Sequence, residues 1–85
     1  MNKFTLVVSN LAKRKLKNIS SKYYHKIYKS LECIEQNPYQ GKLLTAEFRE
    51  IYSYKAWPYR ILYKIYKKQL MVFVIDIGHR KDVYK

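Results

Sequence analysis

This chain is poor in the residues that anchor several common chemistries. Its 85 residues include one cysteine, two glycines, two prolines and only six acidic side chains. The lone Cys33 excludes an internal disulfide and the usual zinc patterns. There is no glycine-rich phosphate loop and no Walker, HExxH or Ser-His-Asp pattern. His25 has no partner at metal-ligand spacing and reads as a surface residue, so neither metal nor cofactor is expected. No run approaches the ~20 apolar residues that cross a membrane, and the longest, Leu70 to Ile75, has the length of a strand. Phe4 to Val8 is too short for a signal peptide, and Lys13-Arg14-Lys15 follows at once. A cytoplasmic protein without a membrane partner is the expectation.

What is abundant is positive charge. Eighteen lysines and arginines give a net charge of +12. The charge is spread along the chain, with nine basic and two acidic residues up to Lys42 and nine and four beyond it. This is not a disordered basic tail. A folded surface this positive attracts polyanions by counterion release, and it also suits an acidic protein partner. A lysine-rich genome is the competing explanation. The chain is 48% hydrophobic, which suffices for one modest core and one domain over residues 1–85. Ten tyrosines dominate the aromatics, a residue type that packs its ring and keeps its hydroxyl at the surface.

The pattern along the chain predicts an α+β fold. Lys3 to Val8 reads as a short strand. Ser9 then caps a basic helix over Asn10 to Asn18, with Leu11, Ala12 and Leu16 among its apolar positions. Ser20 or Ser21 caps a second helix running to about Gln36. Tyr24, Ile27, Tyr28, Leu31 and Ile34 follow the spacing of one inward face, and Cys33 is placed with the core. Lys22, Lys26 and Lys29 form the opposite, solvated face. Asn37-Pro38 ends the helix. From Phe48 the period becomes two, with Ser53 and Lys55 on one face and Tyr52 and Tyr54 on the other. Trp57-Pro58 breaks that strand, Tyr59 to Tyr66 forms the next, and Lys67-Lys68-Gln69 turns into a last strand over Leu70 to Ile77. The unbroken run Val72 to Ile75 suits a central strand covered on both faces, and Gly78 ends it. The order is β-α-α-β-β-β: two N-terminal helices packed on a mainly antiparallel four-stranded sheet.

Two segments can carry chemistry. Arg60 opens the middle strand of the meander, where an arginine either caps the sheet through an ion pair or grips a phosphate with its planar fork of donors. His79, Arg80 and Tyr84 follow the last strand. Histidine titrates near neutral pH, arginine neutralises a pentacoordinate phosphorane, and tyrosine can stack on a base or relay a proton. Antiparallel strands reverse direction, so Arg60 and the His79-Arg80 pair are expected at the same end of the sheet. Lys55 and Arg49 lie on the preceding strand and Lys81 beside Arg80, and all three would add charge for RNA. The alternative is a solvated basic C-terminus.

Pro38-x-x-Gly41-Lys42-x-Leu44, Tyr59-Arg60-x-x-Tyr63 and Gly78-His79-Arg80-Lys81-Asp82-Val83-Tyr84, in this order and spacing, resemble the RelE/ParE superfamily of bacterial type II toxins. The resemblance covers nearly the whole chain. It implies a compact microbial-ribonuclease-like fold. RelE-like members enter the ribosomal A site and cut mRNA by attack of a 2′-hydroxyl on the adjacent phosphate. ParE-like members poison DNA gyrase instead. Both are restrained by an acidic antitoxin in a toxin–antitoxin hetero-oligomer. By position, Arg60 matches the phosphate-binding arginine, Arg80 the charge-stabilising arginine and Tyr84 the C-terminal tyrosine, while His79 sits where some members have a catalytic histidine. The departure is on the second strand. Ile51 and Ser53 stand where RelE-like members carry lysines, and Lys55 and Arg49 lie nearby.

Overall fold

The computed structural model describes residues 4–44 and 50–79. Its elements are β1 (Thr5–Val8), α1 (Asn10–Lys17), α2 (Ser21–Gln36), a 3₁₀ turn (Pro38–Gln40), β2 (Lys42–Leu43), β3 (Tyr52–Ala56), β4 (Tyr59–Tyr66) and β5 (Met71–His79). The α+β class and the helix positions agree with the sequence pattern. The strand count does not: the sheet has five strands, in the order β1-β5-β4-β3-β2. The added strand is β2, only two residues long, which pairs antiparallel with β3. β3, β4 and β5 form the antiparallel meander, and β1 joins β5 in parallel.

Short polar residues fix the helix starts. Ser9 Oγ accepts from the Ala12 amide at 3.0 Å and donates to the Ile75 carbonyl at 2.7 Å, so one hydroxyl both caps α1 and ties it to β5. Ser20 caps α2 through the Lys22 amide. Ile27, Leu31 and Ile34 on α2 join Ala12 and Leu16 on α1 over Ile61, Tyr63, Val72, Val74 and Ile77 of the sheet. Lys15 of α1 pairs with Asp76 of β5 at 2.9 Å.

Three side chains of α2 depart from the expected inward face. Tyr24 and Tyr28 are 40% and 46% exposed. Cys33 is exposed as well. Successive helical residues stand 100° apart. Tyr24, Tyr28 and Cys33 each sit beside a more deeply packed neighbour, respectively Tyr23, Ile27 and Ile34, and so lie at the solvent margins of the buried face, where the Cys33 thiol still reaches Tyr54 of β3. Tyr24 and Tyr28 pack edge-on with ring centres 4.9 Å apart and hydroxyls at 3.3 Å.

The apolar run in β5 also has a different cause from the expected one. Leu62 pairs with Asp76, whereas Tyr63 pairs with Val74, so Ile75 is an extra residue. This bulge shifts the alternation: Val72 and Val74 face the core before it and Ile77 after it. Phe73 and Ile75 are half-buried rather than covered. β5 also continues through Gly78 to His79. None of the helices among the described residues is long and apolar enough to cross a membrane.

Candidate functional site

The β3–β4 hairpin sorts its side chains by face. Ala56, Ile61 and Tyr63 point to the helices and are buried. Ser53 and Lys55 therefore point to the other face. Directly opposed residues share a face, so the pairs Lys55–Arg60 and Lys42–Ser53 place four side chains on that open side. The two-residue turn at Trp57-Pro58, with a cis peptide bond, joins the strands and leaves Arg60 one residue beyond the first rung.

These side chains enclose a groove of about 440 Å³, lined by Gln40, Gly41, Lys42, Ser53, Lys55 and Arg60. No carboxylate lines it among the described residues. Ser53 is 5% exposed and forms part of the floor. Arg60 is half-buried, with Nε shielded from water. Three cations around a small hydroxyl make a receptor for an anion. Partial burial of the guanidinium weakens screening by solvent and favours a fixed, directional contact.

The rim of the groove is held from beneath. Tyr63 is fully buried, and its hydroxyl donates to the Pro38 carbonyl at 2.7 Å. Burial pushes the Tyr63 phenol up to about 12. Gly41 crosses directly over this hydroxyl, where a β-carbon would collide with it. Gln40 Nε2 donates to the Cys33 carbonyl at 2.7 Å. Tyr54, on the helix side, has its phenol raised first by burial and then by a hydrogen bond with the Cys33 thiol.

Arg60 and Lys55 are thus brought together. His79 pairs with Tyr59, one rung from the Arg60–Gly78 pair, so it does lie at the expected end of the sheet. Its ring, however, packs edge-on against Tyr59 at 5.7 Å, and Tyr59 packs on Tyr23 of α2. Tyr59 and Arg60 are consecutive in the strand, so this aromatic stack occupies the face opposite the groove. Arg49, Arg80, Lys81 and Tyr84 lie outside the described residues. The groove also contains Gln40 and Lys42; the sequence pattern placed Lys42 in a family motif but gave neither residue a role in the site. A two-residue strand carries no periodic signal, and only the register reveals that Lys42 opposes Ser53.

A second groove, of about 300 Å³, opens on the helix side. Leu6, Val8, Leu16, Tyr28 and Leu31 form its apolar walls, with Glu32 and Glu35 at its edge. Among the described residues, no group of three His, Cys, Asp or Glu side chains is placed to hold a metal ion.

Residues 6–84 match the family model described as the ParE toxin of the type II toxin–antitoxin system, parDE. No curated protein matches. Solved structures with the same fold include the RelBE2 toxin–antitoxin complex of Mycobacterium tuberculosis. That match has 22% identity and a TM-score of 0.84, and it covers 92% of this chain and 99% of that one. The intact RelBE complex of E. coli matches at 22% identity with a TM-score of 0.76, over 91% of this chain and 95% of that one. The archaeal RelE–RelB complex of Pyrococcus horikoshii matches at 13% identity with a TM-score of 0.77, over 98% of this chain and all of that one.

Proposed function

The chain belongs to the family of ParE toxins of type II toxin–antitoxin systems, and on that premise we propose that it acts as a ribosome-dependent endoribonuclease. Its substrate is mRNA in the ribosomal A site. The observation that supports this reading is the Lys55–Arg60 pair beside Ser53, in a groove that no carboxylate of the described residues lines, on a chain of charge +12.

In the proposed reaction the 2′-oxygen bonds to the adjacent phosphorus and gives up its proton. The bond from phosphorus to the 5′-oxygen breaks, and that oxygen takes a proton. The products are a 2′,3′-cyclic phosphate and a 5′-hydroxyl, with no redox step. Negative charge on the phosphoryl oxygens is greater in the phosphorane than in the diester. A positioned guanidinium therefore lowers the barrier more than it tightens binding. Arg60 is assigned that role, with Lys55 beside it. The family pattern adds Arg80 as a second charge stabiliser and Tyr84 as a proton carrier; His79, whose ring packs on Tyr59 across the sheet from the groove, is assigned no step. Arg49 and Lys81 are assigned to the RNA backbone.

The restraining partner is an acidic antitoxin, partly disordered until it binds. The charge of +12 supports it, and so do the three solved relatives named above, each of which is a toxin–antitoxin complex. The site of action is the cytoplasm.

A ParE-like inhibitor of DNA gyrase is the second reading. It is favoured by the family model that matches, and by Ile51 and Ser53 at the positions of the RelE-like lysines. Expression of the toxin followed by 5′-end mapping of a translated mRNA separates the two. Codon-phased cuts within translated regions are expected. DNA damage with intact mRNA would replace the nuclease reading with the gyrase one.

A further inference from the structure

Lys42 stands in neither the basic nor the catalytic set read from the sequence, yet the fold puts it at the groove. It is the first residue of β2 and directly opposes Ser53. Ser53 lies two residues from Lys55 on the same face, and Lys55 opposes Arg60. The three cations therefore come from three adjacent strands and line one cavity. Serine at position 53 is short, so its side chain leaves the space above it to the neighbouring strand.

A two-residue strand would be a poor platform without support. Here the chain is held on both sides of Lys42. Upstream, the Tyr63 hydroxyl fixes the Pro38 carbonyl, and Gly41 is seated on the same tyrosine. Downstream, the Leu44 amide donates to the Ile51 carbonyl at 2.9 Å. The backbone position of the lysine is thus set by the buried core, while its side chain is exposed. Lysine suits that place as a compact charge that follows a phosphate without demanding one planar geometry.

We infer that Lys42 is a direct ligand for a backbone phosphate of single-stranded RNA, the third cation of the Lys55–Arg60 groove. This inference rests on the RNA-directed reading of that groove. The competing role is protective: lysine on an edge strand discourages pairing with another sheet.

The test measures binding of the full chain to a short single-stranded RNA over a range of salt concentrations. Each single-strand phosphate neutralised contributes about 0.7 to the log–log slope. Lys42→Gln should lower the wild-type slope by about that amount, and Lys42→Arg should keep it. Lys29→Gln removes the same charge from the exposed face of α2 and should leave the slope unchanged. If Lys42→Gln binds with the wild-type slope, the inference fails while the RNA reading stands. A larger tendency to self-associate in that variant would then point to edge protection. If Lys29→Gln lowers the slope as much as Lys42→Gln, total charge and not position is responsible, and the inference again fails. A flat response from the wild-type protein would sink the RNA reading itself.

Discussion

The two grooves of this protein are built by opposite rules. The helix-side groove has walls of Leu6, Val8, Leu16, Tyr28 and Leu31, and its charged edge includes Glu32 and Glu35. The sheet-side groove gathers Lys42, Lys55 and Arg60 around Ser53. The first continues the hydrophobic core outward. The second is a polar surface laid over the same sheet. Core packing demands apolar volume, and an anion site demands charge that the core must position without burying it completely. A sheet satisfies both, because successive side chains alternate between its faces. Losses in the helix-side groove should therefore appear as stability, and losses in the sheet-side groove as activity.

The sharpest way to break that division is Leu31→Ala. Leu31 is 5% exposed and joins the core to the apolar groove. Its truncation should cost about 2–5 kcal/mol of stability, a large share of the 5–15 kcal/mol typical of a small domain. Below the melting transition the salt dependence of RNA binding should not change. Denaturant titration and binding isotherms measure the two sides.

The converse is Arg60→Ala. Single-turnover cleavage on programmed ribosomes should fall by ~10²–10³, with the denaturant midpoint nearly unmoved. Arg60→Lys should also be impaired, because a point charge cannot reproduce the bidentate geometry. Wild-type rates in both variants would remove Arg60 from the site.

Tyr63 lies under both regimes, so its removal should blur the comparison. Tyr63→Phe leaves the buried Pro38 carbonyl without its hydroxyl donor and should cost about 1–3 kcal/mol. Because the Pro38–Lys42 segment rests on that bond, RNA affinity should weaken as well, by less than in Arg60→Ala. Unchanged affinity in a destabilised variant would mean that Lys42 is positioned without Tyr63.

The smallest effect is a pH dependence. The folded Tyr63 phenol sits at about 12, above the ordinary 10.0. Below pH 10 both folded and unfolded chains hold the proton, and this group adds no slope. Between about 10 and 12 the unfolded chain releases it first, so stability must fall as pH rises. The difference between wild type and Tyr63→Phe isolates this contribution from the other tyrosines and the lysines. Denaturant midpoints should converge for the two proteins as the pH passes from 10 toward 12. Parallel midpoints across that range would mean that burial does not hold the proton on Tyr63.

Much of the scaffold was legible in the residues. Ser9 and Ser20 cap the helices, Ile27, Leu31 and Ile34 mark the buried face of α2, and β4 runs over Tyr59–Tyr66 as its pattern predicts. These features are local, set by hydrogen bonds and periodicities within a few residues. Of the expected site, Arg60 and Lys55 were legible as basic residues flanking a hairpin, and the structure pairs them. The aromatic stack of His79 on Tyr59 was not legible, because which face a residue takes after Ile75 depends on the bulge. Cys33 was misplaced because one helical step, 100°, separates the core side of α2 from its exposed side.

By itself the sequence determined the α+β class, the helix and hairpin positions and the charge of +12, because composition and local pattern carry these, and the family through the resemblance of its three motifs. Only the tertiary structure decided that β2 exists, that Lys42 faces Ser53, and that Tyr63 supports the segment between them. Those facts depend on residues as far apart as Pro38 and Tyr63 meeting in space. No local periodicity encodes such a meeting; it follows from strand register and from the closure of one buried hydrogen bond.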